Sequence, residues 1–168
     1  LFLLPFTHRT TWREVSALSR PALLDGVASG VFLALHFATW ISSLFYTSVA
    51  SSVVIVNAIP LWTGLLSPLL TKDSFSSGLK KGLLLALPGG AIIGWGDFSL
   101  GGTALWGDFL ALLGSIFAAL YLLLGRRLRP SVSLGSYVTF IYGTAAVVLW
   151  AVVLLAGYPV VGYSRSTW

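Results

Sequence analysis

The residues between 21 and 71 include only two acidic or basic side chains, Asp25 and His36. As one α-helix this stretch would be about 75 Å long, more than twice the thickness of the hydrocarbon core of a membrane. The stretch must therefore fold back on itself. Its most polar short break near the centre is at residues 45–48, so we predict two apolar helices, over residues 22–45 and 48–71.

Three more apolar runs follow, at residues 79–95, 103–125 and 134–157, and the segments between them hold the turn-forming and charged residues. Charged residues make up only 9% of the chain, against 57% hydrophobic residues. A soluble domain has roughly a quarter of its residues charged, because its surface faces water. The sequence therefore predicts an all-α fold, a polytopic bundle of transmembrane helices surrounded by lipid.

All the lysines and arginines except Arg165 fall into three clusters that lie on one side of the membrane if every run crosses it. These clusters are Arg9, Arg13 and Arg20; Lys72, Lys80 and Lys81; and Arg126, Arg127 and Arg129. Such sorting is typical of membrane topology rather than of nucleic-acid binding. The positive-inside rule makes this side cytoplasmic, so we expect a multi-pass protein of the inner or plasma membrane.

Small residues indicate where the helices pack, since close approach holds helices together in lipid. The pattern Gly90-x-x-x-Gly94 lies in the third run, and Gly114 and Ala118 lie in the fourth. We expect contacts within one chain, and a homodimer face on the third run is the alternative. Pro60 lies inside the second run and predicts a kink there, which serves either packing or a functional hinge.

A polar layer is expected where the first two helices face each other. His36 lies roughly 13 Å below one end of the turn at residues 45–48, and Asn57 lies roughly 13 Å below the other end. Trp40 shares the face of His36, while Ser51 and Ser52 lie about one turn above Asn57. This layer either forms a substrate-binding cavity or only ties the helices together by hydrogen bonds.

Enzyme chemistry finds no support in the sequence. No two carboxylates are near each other deep within the predicted spans, and no metalloprotease, serine-hydrolase or phosphate-binding motif is present. The chain has no cysteine, which excludes disulfides and thiolate metal sites. We expect no catalytic residues, no metal and no cofactor, and the expected partners are the lipid bilayer and a small-molecule substrate.

The run HFATWISSLFYTSVASSVVIVNAIPLWTGLLSPLL, residues 36–70, resembles the third and fourth helices of an EamA domain, of the drug/metabolite transporter superfamily. The run GDFLALLGSIFAALYLLLGRRLR, residues 107–129, looks like the opening helix of a second EamA repeat. The resemblance implies an internal fragment of a ten-helix protein built from two inverted five-helix repeats. Residues 1–97 would hold the remainder of the first repeat, from the end of helix 2 to helix 5. Residues 98–168 would begin the second repeat, with helices 6 and 7.

The same resemblance implies a transporter that moves small organic metabolites such as amino acids by alternating access. The aromatic and neutral polar residues of the layer favour an uncharged or zwitterionic substrate, exported from the cell. The alternative is a non-transporting scaffold or accessory subunit, whose polar layer is structural. A membrane-embedded enzyme would need catalytic acids in helices outside this chain.

Overall fold

The computed structural model describes residues 4–71 and 102–157 and, between them, residues 77–78, 81–82, 84–85, 88–89 and 92. This part of the chain is helical and contains no β-strand. The helices are α1 (Leu4–Ser16), α2 (Arg20–Ser43), α3 (Val49–Val56), α4 (Ile59–Leu70), α5 (Gly102–Leu128) and α6 (Leu134–Leu155), with a 3₁₀ turn, η1 (Arg129–Ser131), between α5 and α6.

Four stretches are long and apolar enough to cross a membrane, namely Arg20–Ser43, Val49–Leu70, Gly102–Ser131 and Leu134–Leu155. They confirm four of the predicted apolar helices to within a few residues. The chain thus has the pattern of a multi-pass membrane protein. The expected third run, at residues 79–95, lies largely outside the described residues, and so do Gly90 and Gly94.

One helix, α1, lies ahead of the first apolar span. Helix α1 continues to Ser16. It breaks before Arg20, where the Ser19 side chain caps α2 by accepting a hydrogen bond from the backbone of Ala22. A serine that caps the first turn satisfies a backbone donor that would otherwise lack a partner, and Ser48 and Ser133 do the same at the starts of α3 and α6.

The second span is interrupted where Pro60 predicted a kink. Helix α3 ends at Val56 and α4 begins at Ile59, with Asn57 and Ala58 forming a turn between them. The proline ring has no backbone N–H, so the hydrogen bond that would reach the carbonyl of Val56 cannot form. The interruption therefore follows directly from the proline.

Helix α5 is the centre of the bundle and makes extensive contacts with α2, α3 and α4. Helices α2 and α5 run antiparallel, since Ser29 meets Tyr121 near the end of α5, while Thr47, just beyond α2, meets Asp108 near its start. Helix α6 runs parallel to α2 and approaches it closely at Gly30, where an added Cβ would lie 2.5 Å from Cβ of Thr144. The first predicted span therefore packs mainly on α5 and α6, and it touches α3 only slightly.

A buried apolar core fills the junction of α2, α5 and α6. Its members are Leu33, Ala34, Leu128, Val132, Ile141 and Ala145. Leu18 and Ala22 pack against this core from the start of α2. The core lies toward the end of the bundle where α5 finishes and α6 begins.

Candidate functional site

His36 is held in the middle of α2 by a contact with α5. Its Nδ1 lies 2.9 Å from the carbonyl oxygen of Gly114. A carbonyl oxygen only accepts, so Nδ1 must carry the proton and donate it. In the neutral ring, Nε2 is then left as a hydrogen-bond acceptor, and it makes no hydrogen bond within the described part of the chain.

The small residue at position 114 makes this contact possible. A Cβ added to Gly114 would lie 3.3 Å from both Cβ and the backbone nitrogen of Trp40, and 3.2 Å from Oγ1 of Thr39. These distances are at the tight end of van der Waals contact, so α2 approaches the backbone of α5 because the side chain is absent. Ala118, one turn further along, is buried. Both residues expected to pack helices thus lie inside the bundle.

Trp40 stacks on His36, with ring centroids 5.6 Å apart and an angle of 19° between the rings. Its indole Nε1 is buried and has no hydrogen-bond partner among the residues that the structure describes. The hydroxyl of Ser115, next to Gly114, is likewise buried and unpartnered there. An unpaired polar group inside an apolar environment costs free energy, so these two donors need a partner that the described residues do not supply.

Ser51 and Ser52 belong to the turn rather than to the layer of His36. The hydroxyl of Ser52 lies 2.7 Å from that of Ser43 and joins the start of α3 to the end of α2. The Ser51 hydroxyl accepts from Ser48 at 2.9 Å. Each hydroxyl therefore has a structural partner within the turn region.

Asn57 does not face His36. Its side chain is exposed, and its amide nitrogen donates to the carbonyl of Val53, one turn earlier, at 2.7 Å. Because α3 packs on α5 and scarcely touches α2, the equal depth of His36 and Asn57 does not bring them together. The structure therefore keeps His36 and Trp40 together and separates Asn57 from them.

The structure adds a polar contact that the sequence interpretation did not include. The Thr47 hydroxyl donates to Oδ1 of Asp108 at 2.8 Å, and Asp108 is buried, only 9% exposed. The adjacent Gly107 allows it, because a Cβ there would lie 2.6 Å from the backbone nitrogen of Thr47. The signal in the sequence was an aspartate directly after a glycine near the start of an apolar run.

No group of three or more His, Asp or Glu side chains in the described ranges could hold a metal ion. Comparison with protein-family models, with curated protein sequences and with solved structures gave no match. The geometry of the α2–α5 contact is therefore the basis for a functional proposal.

Proposed function

We propose that the chain is part of a multi-pass membrane transporter for small organic metabolites, with its binding site around His36 and Trp40. The observation that carries the proposal is the stacked pair itself. Within an apolar span, His36 offers an acceptor at Nε2 and Trp40 offers a buried, unpartnered donor at Nε1. Polar groups kept inside a membrane usually face a cavity or a transport path.

The chemistry of the pair favours a solute that both donates and accepts hydrogen bonds. An amino acid has this character, since its ammonium group donates and its carboxylate accepts. A polyanion would call for buried cations, and residues 21–71 contain neither lysine nor arginine. An uncharged or zwitterionic solute with a planar or apolar part would also contact the aromatic rings.

We propose further that the transporter is of the EamA type and works by alternating access. The antiparallel course of α2 and α5 supports it, because an inverted second repeat would place its first helix opposite in direction to the third helix of the first repeat. In this proposal residues 1–97 belong to the first repeat and residues 98–168 to the second. The arginine-rich end is cytoplasmic, and the solute moves outward.

A second function is favoured by the way in which polar groups join helices. Ser29 donates to the carbonyl of Tyr121 at 2.8 Å, and His36 bonds the carbonyl of Gly114. If such bonds exist only to hold helices together, the protein is a scaffold or an accessory subunit. The two proposals differ in whether the His36–Trp40 pair meets a solute.

Uptake into liposomes tests the transporter proposal. The protein containing this chain is reconstituted and offered a panel of radiolabelled amino acids and other small metabolites. We expect saturable uptake of at least one solute, reduced about tenfold or more by His36→Ala and by Trp40→Ala, because each removes a polar group or ring that contacts the solute.

Asn57→Ala is the matched control, since that side chain is exposed and bonds only its own helix. It should leave uptake near that of the unmodified protein. Normal uptake by both His36→Ala and Trp40→Ala would overturn the proposed site. Absence of uptake of any solute by a folded protein would favour the scaffold.

A further inference from the structure

One end of the bundle carries a group of exposed arginines. They lie on the last turn of α1, the first residue of α2, the last turn of α5 and η1, and we call them the arginine rim: Arg13, Arg20, Arg126, Arg127 and Arg129. Leu18 and Ala22, on either side of Arg20, pack on the same core as Leu128 and Val132. The rim therefore surrounds one end of a shared core and is not scattered along the chain.

Helix α1 joins the rim through a specific contact with the start of α6. The Glu14 carboxylate accepts hydrogen bonds from the backbone nitrogen of Ser133 at 2.8 Å and from its hydroxyl at 2.9 Å. Trp12 and Arg13, on the same helix, are exposed, and Trp12 is 75% exposed. A tryptophan beside an arginine on a short helix is typical of the interface between lipid and water.

The described acidic side chains at this end are Glu14 and Asp25, and they do not balance the arginines around them. Setting aside Arg126, which has an interaction of its own, four arginines and two carboxylates leave a charge of +2. Asp25 forms an ion pair with Arg127 at 3.2 Å, and the Glu14 carboxylate accepts a hydrogen bond from Ser133. Arg13 and Arg20 make no ion pair with any described residue, so the excess positive charge faces outward.

We propose that the arginine rim binds the phosphate groups of anionic phospholipids at the membrane face where α2 begins and α5 ends. Positive charge at the ends of spans attracts anionic headgroups, and guanidinium groups match phosphate in geometry. The position of the rim, at the ends of three candidate spans and beside Trp12, selects a lipid headgroup over a soluble phosphate. The proposal concerns a surface remote from His36 and does not depend on transport.

Lipid selectivity in reconstituted bilayers tests it. The chain is placed in phosphatidylcholine bilayers containing spin-labelled phosphatidylglycerol or spin-labelled phosphatidylcholine, and the fraction of label immobilised by protein gives their relative association constant. We expect phosphatidylglycerol to associate more strongly, with a loss of about fivefold for each of Arg13, Arg20 and Arg129 neutralised. The preference should fall at 1 M salt, where charges are screened beyond about 3 Å.

The variant carries Arg13→Gln, Arg20→Gln and Arg129→Gln together. Its control carries Asp25→Asn with Arg127→Gln, which removes an ion pair and leaves the net charge unchanged. The control should keep the preference and the triple variant should lose it.

Equal association of the two lipids with the unmodified chain would overturn the proposal, and so would a preference that survives in the triple variant. Loss of the preference on adding inorganic phosphate at constant ionic strength would show a soluble-phosphate site instead. The salt titration uses the unmodified chain, so it decides the question even if the triple variant fails to fold.

Discussion

The close crossing of α2 and α6 at Gly30 makes a quantitative prediction for Gly30→Ala. The added Cβ would lie 2.5 Å from Cβ of Thr144 and 2.9 Å from the carbonyl oxygen of Ile141. Carbon atoms pack best at about 3.5–4.0 Å, so the two helices would have to separate by roughly 1 Å. Overpacking of this kind costs about 1–3 kcal/mol of unfolding free energy.

The measurement is the free energy of unfolding in mixed micelles titrated with a denaturing detergent, followed by loss of helical circular dichroism. Gly143→Ala is the control, since it makes the same substitution in α6 with no other atom within 4 Å of the new Cβ. That variant should be neutral or more stable, because alanine favours a helix over glycine by about 1 kcal/mol. Equal effects of the two substitutions would refute the packing of α2 on α6.

Three further outcomes follow from the polar contacts. Thr47→Val should lower the unfolding free energy by about 1.5–3 kcal/mol in the same titration, because it removes a hydrogen bond to the Asp108 carboxylate. Ser29→Ala should cost about 1 kcal/mol there, because it removes a bond to a backbone carbonyl; no change in either variant would contradict these contacts. The hydrogen bonds from the Ser133 backbone and from the Ser136 and Ser133 hydroxyls hold the pKa of Glu14 below its usual 4.5. The docking of α1 on the start of α6 should therefore be complete above pH 4.5 and be lost as the pH falls through the lowered pKa of Glu14. Hydrogen exchange of the α1 backbone amides measures this docking. Glu14→Gln should abolish its pH dependence.

The sequence was sufficient to predict the elements that depend on composition and on local chemistry. Apolar runs separated by charged segments located four spans, because lipid accepts only long uncharged helices. Pro60 located the interruption of the second span, because a missing N–H acts within one helical turn. Both effects depend only on residues close together in the chain.

The neighbours of each helix could not be predicted in the same way. Counting residues from the turn at 45–48 gives a depth for His36 and for Asn57, but it does not give the direction in which either side chain points. That direction depends on which neighbouring helix approaches most closely. Helix α2 approaches α5 closely at Gly114 and touches α3 only slightly, so His36 contacts α5. The contacts of Glu14 with Ser133 and of Asp108 with Thr47 could not be predicted for the same reason, because the two partners of each contact are distant in the chain.

The proposed transport function requires the His36–Trp40 pair to line a path reachable from water. The chain has no cysteine, so single cysteines can be introduced one at a time and their reaction with a water-soluble thiol reagent can be timed. Phe45→Cys, at a side chain 82% exposed, gives the fast limit, and Ser29→Cys, at a side chain 0% exposed, gives the slow limit. Trp40→Cys is expected to react at a rate between these limits. A rate equal to that of Ser29→Cys would show that the pair does not line such a path.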